Sequence, residues 1–134
     1  YESLINAVPI SPEATKADAI SAAACQVAET LSAKAIVTFT TSGSTALCAG
    51  RYRPSVPILA LTPNFDTARR LSLAWGLRCI HTEDATDFNH MLKLACYHAV
   101  NQGLATSGDQ LVVTAGVPFG TPGATNVLRI AVVD

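Results

Sequence analysis

Six consecutive small residues, Thr40, Thr41, Ser42, Gly43, Ser44 and Thr45, bring five hydroxyl groups and one glycine into a stretch without formal charge. The chemistry such a stretch offers is anion binding through neutral donors, because hydroxyls donate hydrogen bonds and glycine lets the backbone approach a ligand closely. Residues 35–39 (AIVTF) read as a short buried strand, and Ala46 and Leu47 restart a helical pattern. A strand running through such a turn into a helix leaves the first N–H groups of that helix unpaired and aimed outward, at the positive end of its dipole. The same six residues also suit an ordinary Ser/Thr-capped turn, and both readings stay open at this level.

Other reactive side chains point to plainer roles. Cys25, Cys48, Cys79 and Cys96 form no C-x-x-C pair and fall on predicted helices and a strand, as buried, reduced cysteines of a cytoplasmic protein do. His81, His90 and His98 lack the i, i+4 spacing and the carboxylate arrangement of a zinc site, so no metal is expected in this chain. Glu83, Asp84 and Asp87 lie where a loop enters a helix and read as a solvated cap favoured by the dipole. Arg51 and Arg53 flank Tyr52 and read as packing and pairing residues at a domain or subunit contact, and Trp75 as a core anchor. Neither a P-loop nor a G-x-G-x-x-G opens a helix, and no G-x-S-x-G elbow occurs. No catalytic constellation emerges.

The elements that must position these residues alternate. Ser11-Pro12-Glu13 supplies a hydroxyl cap, a proline at the first helical position and an early acid, opening a helix with its apolar face at Ala17, Ile20, Ala24, Val27, Ala28 and Leu31. Strands follow at 35–39, 58–61 and 77–81, with a short helix at 44–50 and another capped by Asp66 that runs to Trp75 and stops at Gly76. Residues 86–102 form the last long helix, with Phe88, Met91, Leu92, Ala95 and Ala99 on one face and Gly103 at its end. Strands at 110–115 and 127–133 close the chain.

This order predicts an α/β fold, a three-layer doubly wound and mainly parallel five-stranded sheet. Residues 116–126 hold three glycines and two prolines, too short and irregular for a helical crossover, so the last strand should run antiparallel at the edge. The loop after Thr41 and the loop from Gly116 to Thr125 then both leave carboxyl ends of strands, where open α/β sheets collect ligands. One anion can touch both.

With 134 residues, 49% of them hydrophobic, the chain suffices for one domain spanning 1–134. A net charge of −1 with both signs dispersed excludes a nucleic-acid stripe or a basic membrane face. The longest apolar runs fall far short of the ~20 residues of a membrane helix. Tyr1 is not an initiator Met, and no secretory signal follows, so the sequence reads as part of a longer polypeptide.

Residues 33–57, AKAIVTFTTSGSTALCAGRYRPSVP, closely resemble the C-terminal domain of pyruvate kinase, where an AKAIV strand leads into a T-x-S-G-x-[ST]-A loop, a helix and an RYRP-x-x-PI link. The resemblance continues through TPNFDTAR at 62–69, Trp75-Gly76, SGDQLVVT at 107–114 and GATNVLRI at 123–130. It implies a regulatory and subunit-contact domain, joined through residues 1–11 as a linker to a catalytic barrel that this chain lacks. The parent enzyme moves phosphate from phosphoenolpyruvate to ADP with magnesium and potassium, whereas this domain needs no cofactor and should be inactive alone.

The resemblance also implies an effector site, with Thr40, Thr41, Ser42, Gly43, Ser44 and Thr45 around a phosphate and a loop with Gly116, Gly120, Thr121 and Gly123 covering the ligand. Some members carry lysine where Thr41 stands and arginine where Ser44 stands. Members that bind a bisphosphate place an arginine near Asn89, His90 and Met91, and the closing loop here has no basic residue. These departures favour a sugar monophosphate or an AMP-like nucleotide over fructose bisphosphate. The alternatives are a structural or homo-oligomerisation module without effector, and a free-standing phosphate-binding enzyme.

Overall fold

A computed structural model describes residues 16–40, 54–71, 77–83, 86–116 and 125–134. The described elements follow the order α1 (Lys16–Leu31), β1 (Ala35–Phe39), β2 (Ile58–Thr62), α2 (Phe65–Leu71), β3 (Leu77–His81), α3 (Phe88–Asn101), β4 (Gln110–Gly116) and β5 (Thr125–Val132). The five strands form one sheet in the order β3-β2-β1-β4-β5. The first four are parallel and β5 pairs antiparallel with β4, so the α/β sheet expected from the sequence is the one found.

β1 occupies the centre because both its faces are apolar. Ala35, Ile36 and Val37 are fully buried, as continuous β-branched runs of a parallel sheet demand. Alternation divides these residues between two layers. Val37, Leu59, Leu61, Leu111 and Val113 pack with Met91, Ala95 and Ala99 of α3, whereas Ile36, Ile58 and Val112 pack with Ala24, Cys25 and Ala28 of α1. Register makes the second layer explicit, since Ile36 pairs with Ile58 and Val112, and Val112 pairs with Ile130.

Three local expectations are corrected. The buried stripe of α1 is Ser21, Ala24, Cys25 and Ala28, while Leu31 is exposed in the last turn, directly before Ser32 takes φ +53° and the chain leaves the helix. Helix α2 is capped by Asn64, whose side-chain oxygen accepts the Thr67 N–H at 3.1 Å, and Asp66 lies inside the first turn. Phe88 is partly exposed at the start of α3. That helix begins where Asp87 accepts the His90 N–H at 2.8 Å, the cap role expected of Asp87. The expected helix at 44–50, the linker at 1–11, and Trp75, Arg51 and Arg53 lie outside the described residues.

Two glycines set the chain's direction around β4. Gly103 takes φ +73° after α3, and Gly108 takes φ +90° while its N–H bonds the Val133 carbonyl at 2.7 Å. Directly after Gly108, Asp109 accepts from the Thr106 N–H at 2.8 Å and hydroxyl at 3.1 Å, contacts that hold its carboxyl below the ordinary value of 3.8. This gives the sequence SGD a concrete task, which is to brace the entry to β4.

Leu59→Ala should lower stability by about 2–5 kcal/mol through lost burial and a residual cavity. Gly103→Ala meets no atom within 4 Å, so its cost is only the left-handed backbone, about 1–2 kcal/mol. Urea unfolding of both variants checks this ranking.

Candidate functional site

Strand order creates the site. The chain steps outward from β1 to β2 and β3, then returns to the other side of β1 as β4, so the order reverses between β1 and β4. With α1 on one face and α3 on the other, this is a topological switch point, outside whose strand carboxyl ends ligands bind in doubly wound sheets. Thr38 pairs with Thr114, so two residues further on Thr40 and Gly116 end neighbouring strands. The Thr40 N–H bonds the Leu61 carbonyl at 2.9 Å, fastening that end to β2. Thr40 is buried.

Of the candidate residues, the structure thus brings together Thr40 and Gly116. Thr41, Ser42, Gly43, Ser44, Thr45, Gly120, Thr121 and Gly123 lie outside the described residues. Ala115 and Gly116 carry a register irregularity against β5, where Gly116 faces Thr125. A bulge at that point re-aims the chain as it leaves the sheet.

Further groups gather along the same edge. Thr62, fully buried at the end of β2, accepts the Asn64 N–H at 3.1 Å, and its carbonyl takes the Thr82 N–H at 2.9 Å. His98 Nε2 lies 3.1 Å from the Thr82 hydroxyl, and His81 Nε2 lies 3.0 Å from the Pro63 carbonyl. His90 accepts the Thr86 N–H at Nδ1, which leaves Nε2 to face Glu83 at 3.4 Å. One carboxylate therefore stands beside one histidine. Among the described residues, however, no group of three His, Cys, Asp or Glu side chains is arranged to hold a metal ion.

Sequence reasoning missed Arg129, whose guanidinium sits 4.9 Å from the centre of the Phe88 ring at the start of α3. It is a cation on the α3 face, where the family resemblance sought an arginine on the helix itself. The register of β5 was the missing signal, because Arg129 opposite Val113 places it on that face. The described cysteines suit no reactive role. Cys25, Cys79 and Cys96 form no disulfide, and burial raises each thiol above its ordinary value, Cys25 to about 11.

The sequence profile of the family described as pyruvate kinase, alpha/beta domain, matches residues 18–131. The chain belongs to the pyruvate kinase family, as its C-terminal α/β domain. It is 49% identical over 133 residues to the pyruvate kinase of Methylorubrum extorquens, covering 99% of this chain and 28% of that protein. Against the pyruvate kinase of Agrobacterium vitis it is 42% identical over 130 residues, 97% of this chain and 27% of the relative. Among solved structures, Cryptosporidium parvum pyruvate kinase in complex with ADP superposes with a TM-score of 0.86 at 29% identity, over 100% of this chain and 27% of that one. The chain therefore spans about a quarter of the length of these pyruvate kinases. No described helix is long and apolar enough to cross a membrane.

Burial holds the His98 imidazole below its ordinary value of 6.5. The folded chain then binds fewer protons here than the unfolded chain, so the stability linked to neutral His98 is complete above about pH 6.5 and is lost as pH falls through the folded value. Proton NMR titration should place the His98 midpoint below that of the same residue in urea.

Proposed function

We propose that this domain regulates a pyruvate kinase by binding the phosphate of a small metabolite at the carboxyl edge between β1 and β4. The observation that carries the reading is the placement of Thr40 and Gly116 at adjacent strand ends across the switch point. The segments 41–45 and 117–123 follow these two residues in the sequence. Their donors are backbone N–H groups and hydroxyls, with no lysine or arginine in either segment. Such a site suits one phosphate, carried by a sugar monophosphate or AMP-like nucleotide, and lacks the charge-assisted bonds that a bisphosphate favours.

In this reading the whole enzyme transfers phosphate from phosphoenolpyruvate to ADP in glycolysis, in the cytoplasm. Magnesium and potassium belong, in the same reading, to its catalytic barrel.

The domain also serves as a subunit contact in a homo-oligomer. β5 leaves one side unpaired, and Ile130 and Val132 on it are about half exposed. A groove of about 540 Å³ runs between this strand and α3, lined by Leu92, Cys96, Tyr97 and Val100. An apolar, β-branched edge is a template for a second copy of the same strand. Helix α1, the other surface suggested by its alanines, already buries Ala24 and Ala28 against the sheet. A purely structural module remains the second reading, favoured by the uncharged loops.

Weak binding is expected for a single phosphate, because neutral hydrogen bonds contribute only about 0.5–1.5 kcal/mol each. Calorimetry with glucose 6-phosphate and AMP should show Gly43→Val abolishing binding and Thr41→Lys tightening it. If neither ligand binds the parent chain, the structural reading prevails. Separately, Val132→Asp should convert any dimer seen by sedimentation to monomer, and the 134-residue chain should not turn over phosphoenolpyruvate and ADP.

A further inference from the structure

Three hydroxyls lie between α1 and the sheet without a hydrogen-bond partner among the described residues: Ser21 Oγ, Thr38 Oγ1 and Thr114 Oγ1. Each of these residues is 1% exposed. Register puts two of them side by side, since Thr38 and Thr114 are partners on neighbouring parallel strands and so share a face. Across four strands that level of the sheet reads Ala60, Thr38, Thr114, Leu128, and the level before it reads Ile58, Ile36, Val112, Ile130.

Helix α1 carries the third hydroxyl to the same place. Ala24, Cys25 and Ala28 cover the level of Ile36 and Val112. The helix runs antiparallel to β1, so the next buried position toward its N-terminus, Ser21, lies over the following level, that of Thr38 and Thr114.

A buried hydroxyl that forfeits its bonds to water destabilises the fold, and three adjacent ones do so together. Buried waters characteristically make about three hydrogen bonds to such groups. We propose that Ser21, Thr38 and Thr114 form a binding site for an internal water molecule that joins α1 to the two central strands. The water lies directly below the carboxyl edge, one level beneath Thr40 and Gly116. It accepts from one hydroxyl and donates to the others, and so fixes the spacing of α1 over the strands whose ends carry the candidate loops. The site is independent of phosphate binding and exists with or without a ligand.

Two measurements test this on the 134-residue chain. A high-resolution crystal structure should show one ordered water within hydrogen-bond distance of at least two of the three oxygens. Direct bonds from these hydroxyls to chain carbonyls, with no water density, would overturn the proposal. Because a variant can rearrange, stability supplies a second readout through Ser21→Ala, Thr38→Val, Thr114→Val and their triple combination. Each single change strands the water with fewer partners and should lower the urea midpoint, whereas the triple removes site and water together and should recover the parental midpoint or exceed it. Midpoint shifts that simply add, in either direction, contradict a shared water.

Discussion

The fold depends on one constraint: β1 is hydrogen-bonded along both edges and covered on both faces. A strand so enclosed must satisfy every backbone group with other strands and present apolar side chains to two helical layers. Parallel partners on both sides require crossovers that leave in opposite directions along the sheet, first toward β2 and later toward β4. The switch point at the carboxyl ends of β1 and β4 is therefore a consequence of satisfying β1. A site at that edge needs no additional architecture, only small residues where the two strands end.

The sheet was legible because burial on both faces writes an unbroken apolar run into each central strand. All five strands fall where the sequence placed them, with β2 and β4 each running one residue further than expected and β5 beginning two residues earlier and ending one earlier. Helix details were harder to read for local reasons. Asn64 caps α2 two residues before Asp66, and an amide ahead of an acid is the less conspicuous of the two candidates. On α1, hydropathy selects Leu31 and passes over Ser21, although geometry buries the serine and exposes the leucine. Helix phase relative to a sheet is set by packing, and a small polar residue on an alanine stripe gives no hydropathic signal.

For the site, composition revealed the segments and topology revealed their adjacency. Nothing in the local sequence of Thr40 refers to Gly116, which stands 76 positions away in the chain yet on the neighbouring strand. The alternation of β1 also escaped notice as chemistry. Thr38 and Thr40 occupy the α1 face two and four residues after Ile36, so the layer changes from aliphatic to hydroxyl-bearing as it approaches the edge. Thr114 repeats this on β4. In a strand, threonine is favoured for its β-branched shape, and that preference conceals a hydroxyl that the interior must accommodate.

The two edges of the sheet are built for different neighbours, and this bears on how a ligand and a subunit would be linked in the proposed function. β3 exposes Arg78 and His81, and Arg78 Nη1 bonds the Gln102 carbonyl at 3.2 Å, features that discourage pairing with another strand. β5 instead exposes Ile130 and Val132. It is joined to β4 by a ladder from Gln110 and Val132 up to Gly116 and Thr125, with its irregularity at Ala115 and Gly116. A phosphate at the end of β4 and a second copy along β5 would therefore bear on opposite sides of one two-stranded ladder. Coupling requires that the ladder have two arrangements with different affinities for each partner. The bulge is the place where such a choice costs least, because pairing is already interrupted there while the rest of the ladder stays in register against the buried centre of the sheet.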